Sequence, residues 1–90
     1  MDVIFLRQAY KFVRKSSLIL RETIKGEVLK IRNNPQIGRL LVGSKLKNIR
    51  SYKFVFNQVS YRIAYFVEEK IIIIAIASRE NFYRDLARQS

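Results

Sequence analysis

Ser51-Tyr52-Lys53-Phe54-Val55-Phe56-Asn57-Gln58-Val59-Ser60-Tyr61-Arg62-Ile63-Ala64-Tyr65-Phe66-Val67 decides how this chain folds. Tyr52, Phe54 and Phe56 alternate with Ser51, Lys53 and Val55. Tyr61, Ile63, Tyr65 and Val67 alternate with Arg62, Ala64 and Phe66. A period of two belongs to strands with one face turned to a core. Asn57-Gln58 reads as the turn between two antiparallel strands. With the apolar set facing inward, Lys53 and Arg62 leave on the other side. A short turn makes the strands neighbours, so the two cations share the open face of a sheet.

Towards the C-terminus, Glu68-Glu69-Lys70 is the next turn, and Ile71 to Ala77 is apolar throughout, as a central strand is. Phe82 and Leu86 then mark a short helix. Towards the N-terminus, Gln36 to Lys47 holds Gly38 and Gly43 and reads mainly as loop. Leu20, Ile24, Val28 and Ile31 line one side of a helix over Leu18 to Asn33, ended by Asn33-Asn34-Pro35. Gly26 within it costs about 1 kcal/mol relative to alanine. Ala9, Phe12 and Val13 predict a shorter helix over Arg7 to Lys15, with Ser16-Ser17 breaking it and capping the next. Val3 to Leu6 is a first strand. The order β-α-α-β-β-β-α predicts one α+β domain over residues 1–90, a helical hairpin packed on a twisted, mainly antiparallel sheet.

Composition narrows the function. The chain has 90 residues, room for one core, with 18 Lys and Arg against 7 Asp and Glu and a net charge of +11. Such a balance attracts polyanions. Cysteine and histidine are both absent, which removes disulfides, thiolate and imidazole metal sites, and cysteine or histidine catalysis. No cofactor or metal is expected. The longest apolar run has seven residues, Ile71 to Ala77, against the roughly 20 of a membrane-spanning helix. No basic segment precedes an apolar one at the N-terminus, so a secretory signal is not expected and the expected location is the cytoplasm.

The charge is also unevenly placed. Val28 to Val67 contains no acid but holds Lys30, Arg32, Arg39, Lys45, Lys47, Arg50, Lys53 and Arg62. A solvated surface explains a mild bias; eight positive charges and no negative one over forty residues point to a binding face. Lys45, Lys47, Arg50, Lys53 and Arg62 are its expected contacts with a polyanion, whether nucleic acid (RNA-binding), an anionic membrane or an acidic protein. Two cations on an open sheet face make a phosphate site, in which an arginine grips bidentately. Arg79 is expected at a helix start, where a cation opposes the dipole, so it serves either phosphate binding or a cap completed by Glu80. Tyr83 is placed equally to stack on a base, to exchange a proton, or to pack beside Phe82.

Ser51-Tyr52-Lys53, Ser60-Tyr61-Arg62-Ile63-Ala64-Tyr65 and Ile74-Ala75-Ile76-Ala77-Ser78-Arg79-Glu80-Asn81-Phe82-Tyr83-Arg84-Asp85-Leu86 resemble, in this order, segments of the RelE/ParE toxin superfamily of bacterial type II toxin–antitoxin systems. The resemblance spans nearly the whole chain. It implies one of two activities. RelE-like members enter the ribosomal A site and cut mRNA by attack of a 2′-OH on the adjacent phosphate. ParE-like members inhibit DNA gyrase. It also implies a cognate antitoxin with an acidic or partly disordered segment. In the cleaving branch Arg62 would clamp the scissile phosphate, Lys53 would be an electrostatic stabiliser or base, Arg79 a late basic group, and Tyr83 a group orienting the base or exchanging a proton. Arg79 stands where related forms carry histidine, and Val55 where some cleaving members carry a second lysine. Proton transfer therefore falls to Lys53, Glu80 or Tyr83; losing one good proton-transfer group typically costs about 10²–10⁴-fold in rate. A basic RNA-binding module without toxicity is the third alternative.

Overall fold

The computed structural model describes residues 1–42 and 48–81. The chain runs through β1 (Val3–Phe5), α1 (Arg7–Lys15), α2 (Leu18–Asn33), β2 (Arg39–Leu40), β3 (Arg50–Phe56), β4 (Val59–Val67) and β5 (Ile71–Ser78). They form an α+β fold, as the sequence predicts, with one five-stranded sheet in the order β1-β5-β4-β3-β2. The β2 to β5 neighbours are antiparallel, whereas β1 lies parallel to β5 with Val3 opposite Ile71. The segment read mainly as loop contains the short strand β2. The helix expected around Phe82 and Leu86 lies outside the described residues.

Both helices pack on one side of the sheet. Ala9 of α1 and Leu20, Ile24, Val28 and Ile31 of α2 meet Phe54, Ile63, Tyr65, Ile71, Ile73 and Ile76 in the main core. Tyr52, Phe56 and Tyr61 pack against it, so the aromatic alternation faces the helices. Ser17 caps α2, its hydroxyl accepting from Leu20 N–H at 3.2 Å. Arg21 donates to the carbonyls of Val13, Arg14 and Ser16 at 3.3, 3.0 and 3.3 Å, laying a cation on the negative end of α1. Asn57 and Gln58 have φ of 51° and 67°, the conformation of a two-residue hairpin turn that matches strand twist.

Polar latches tie the layers. Tyr52 donates to Glu27 Oε1 at 2.7 Å, joining β3 to α2. Burial, and then the Glu27 carboxylate, push that phenol up to about 12. The fully buried Tyr65 donates to Pro35 O at 2.7 Å and accepts from Gly38 N–H at 2.9 Å, pinning the segment after α2 to the sheet. Burial pushes its phenol up as well. β1 pairs with only the first three residues of β5. Beyond them Gln8 of α1 substitutes for a strand: its amide donates to Ile76 O at 2.9 Å and accepts from Ile76 N–H at 2.8 Å. The β4–β5 register skips Ile74, since Ala64 faces Ala75 and Tyr65 faces Ile73. This bulge lets Ile74 and Ala75 both join Ala64 and Ala77 on the side away from the helices.

Gly26 sits inside α2, and a Cβ there would meet nothing within 4 Å. Gly26→Ala is therefore expected to raise stability by about 1 kcal/mol. The check is a higher urea midpoint with an unchanged slope.

Candidate nucleic-acid interface

Register sets out the sheet face away from the helices as three rows. Arg39, Ser51, Ala64 and Ala75 lie opposite one another across β2, β3, β4 and β5. Lys53, Arg62 and Ala77 form the next row across β3, β4 and β5. Val55 and Ser60 begin the third. Arg79 completes it: its N–H donates to Ser60 O at 2.9 Å, one step past the Tyr61–Ser78 pair, which gives it the parity of Ala77. Arg39, Lys53, Arg62 and Arg79 thus occupy one face. Buried Ala64, Ile74, Ala75 and Ala77 form its floor, with Leu41, Ile49 and Phe66 against it.

Among the described residues no acid pairs with a cation of this face, and the single ion pair is Lys30–Glu27 at 3.0 Å, far from it in the chain. Lys53 is exposed and Arg62 half-buried, and they are direct cross-strand partners. Like charges directly opposite cost about 0.2–1 kcal/mol. An anion seated between them reverses the sign of that interaction. Arg62 Nη1 donates to Ser51 Oγ at 3.5 Å.

Lys53 and Arg62 are therefore brought to one face, as their alternation predicts, and Arg79 joins them there rather than at the helix start expected for it. Arg79 follows β5 in a turn spanning 79–81, with Glu80 exposed beside it. Arg50 is not brought to this face. It shares the parity of Tyr52 and stands on the helix side, donating to Gly38 O at 2.8 Å and Gln36 O at 3.4 Å. Lys45, Lys47 and Tyr83 lie outside the described residues. Arg39 was not singled out as a site residue, because nothing in Gln36 to Lys47 alternates; its membership of the acid-free stretch was the available signal.

The family profile of the ParE-like toxin of type II bacterial toxin–antitoxin systems matches residues 3–87, nearly the whole chain. The chain belongs to this toxin family. No curated protein sequence matches the toxin. Its fold matches that of an Escherichia coli RelE toxin carrying two arginine-to-alanine substitutions, in the free state, with a TM-score of 0.74 at 19% identity over 98% of this chain and 95% of that one. The toxin also matches isolated E. coli RelE, with a TM-score of 0.66 at 22% identity over 98% and 96% of the two chains. A chain of the intact E. coli RelBE toxin–antitoxin complex matches with a TM-score of 0.68 at 20% identity over 84% and 93%. No helix of the toxin, among the described residues, is long and apolar enough to cross a membrane.

Proposed function

We propose that the toxin is a metal-independent, ribosome-dependent mRNA endonuclease held in check by a cognate antitoxin. The observation that carries this reading is the Lys53–Arg62 cross-strand pair, two cations facing each other on a sheet surface beside Arg79, with no ion-pair partner among the described residues. Such a face is built for a phosphodiester. The 2′-oxygen of one nucleotide attacks the adjacent phosphorus. Its proton leaves to a base, the bond to the 5′-oxygen breaks, and a proton is delivered to that leaving oxygen. The products are a 2′,3′-cyclic phosphate and a free 5′-hydroxyl. Arg62 clamps the phosphate and stabilises its developing charge bidentately. Lys53 adds charge from the facing strand or takes the proton, and Tyr83 is the proposed partner in proton exchange. Arg79 and Arg39 hold the neighbouring phosphates.

The antitoxin proposal draws on the RelBE complex, whose toxin chain shares this fold. A basic toxin favours an acidic segment that orders on binding. The experiment is purified toxin with ribosomes programmed by a defined message, read by primer extension. Discrete new 5′ ends that need both toxin and ribosome are expected. Intact message beside growth arrest would overturn the reading.

The match to the ParE-like profile favours a second reading, non-enzymatic inhibition of DNA gyrase. It predicts trapped cleaved DNA and a DNA-damage response on induction, with messages intact. Neither poison is expected from a mere RNA-binding module, which would show only steep salt-dependent affinity for RNA.

A further inference from the structure

We propose that Ser51 is a positioning residue for Arg62. Its hydroxyl holds the guanidinium on the diagonal, off the direct rung to Lys53, with the remaining N–H donors presented to the open face. The proposal deepens, and rests on, the reading of Arg62 as the phosphate clamp.

Ser51 is out of place where it sits. It is 4% exposed, and among the described residues it is, beside the phenol of Tyr65, the one buried side chain with a polar group. Its partners along the row on one side are Ala64 and Ala75, which need no hydroxyl beside them. A hydroxyl buried without a partner costs about 1–3 kcal/mol, so packing alone favours a third alanine. The partner that Ser51 has is Arg62, whose Nη1 donates to its Oγ at 3.5 Å.

The geometry explains the pairing. Arg62 faces Lys53 across the β3–β4 ladder, and Ser51 lies one diagonal step away on β3. Repulsion drives the guanidinium off the line to the ammonium. Without an acceptor beside it, the long side chain would sample many rotamers. Ser51 offers an acceptor on the diagonal, off the direct Lys53–Arg62 rung of the ladder. At 3.5 Å the contact is long, so it biases the arginine's direction without consuming its binding capacity. Arginine carries five N–H donors in a rigid fork, and this contact engages one. An arginine already aimed loses less freedom when the phosphorane forms.

The test pairs Ser51→Ala and Ser51→Thr with Arg62→Lys, which keeps a charge but loses the fork. In the free toxin, the heteronuclear NOE of the Arg62 Nε–H group reports its order without any need for activity. It is expected to fall in Ser51→Ala and to recover in Ser51→Thr. On programmed ribosomes, Ser51→Ala is expected to slow single-turnover cleavage about tenfold, the scale of one hydrogen bond to a charged group, with ribosome affinity unchanged. In the Arg62→Lys background the same substitution should change the rate less than about twofold, because there is no fork left to aim. An unchanged NOE, or an equal effect of Ser51→Ala in both backgrounds, overturns the proposal. If wild type itself cleaves nothing, the nuclease reading fails while the NOE still decides the role of Ser51. Should Ser51→Ala prove poorly folded, Ser51→Cys keeps the volume with a weak acceptor and is expected to fall between serine and alanine in the NOE. A serine-like value there overturns the proposal.

Discussion

Arg62→Ala is expected to reduce message cleavage about 10²–10³-fold, the cost of removing one preorganised donor group from a developing oxyanion. The fold should survive. Arg62 is half-buried on the face away from the main core, its register partners are Lys53 and Ala77, and no acid depends on it among the described residues. Losing it also relieves the like-charge contact across β3 and β4. It leaves the buried Ser51 hydroxyl without its partner, so a cost of up to about 1–3 kcal/mol is expected, which a domain of this size withstands. Arg62→Lys should lie between wild type and alanine, because a point charge stays while the bidentate grip is lost. Primer extension gives the rate, and urea unfolding confirms that each variant is folded. Cleavage at the wild-type rate by a folded Arg62→Ala toxin would discredit the site.

The second large effect is on stability. Tyr65→Ala is expected to cost about 3–5 kcal/mol, the range for emptying the site of a buried aromatic ring. A domain of this size has only about 5–13 kcal/mol in all, so most of its stability is at stake. The two hydrogen bonds can be separated from the ring. Tyr65→Phe keeps the packing but strands Pro35 O and Gly38 N–H, and should cost about 1–3 kcal/mol. Gly38→Ala approaches the latch from the other side. A Cβ at Gly38 would meet Tyr65 Oη at 2.7 Å and Cε1 at 2.8 Å, and a ring held at both ends has nowhere to move. A cost of about 1–3 kcal/mol is expected from that overpacking. A urea midpoint for Tyr65→Phe equal to wild type would show that the hydroxyl carries no weight.

The helices and the central hairpin were legible because their information is local. Leu20, Ile24, Val28 and Ile31 repeat at a helical period, and all four are buried. The alternation around Lys53 and Arg62 set their shared face. Arg50 was equally readable, since parity with Tyr52 places it on the helix side; basic character alone wrongly suggests a place beside Lys53. What stayed hidden depends on distant chain. Gln8 looks like any polar helix residue until Ile76 lies beside it. The all-apolar run from Ile71 gives no sign that Ile74 falls out of register. β2 has two residues, both exposed, so no pattern announces it or places Arg39 on the face of Lys53 and Arg62. The aim of Arg62 towards Ser51 follows from a diagonal contact that alternation alone does not resolve.

The parallel partnership of β1 with β5 has a consequence for biosynthesis. The hairpin bearing Lys53 and Arg62 is contiguous in the chain, yet β5 must enter between β4 and β1 before the sheet is whole. A nascent polypeptide emerges vectorially, so β1 waits unpaired until the last strand has been made. Such long-range closure is slow compared with local folding. A sheet built this way closes only after β5 has been synthesised, late in translation.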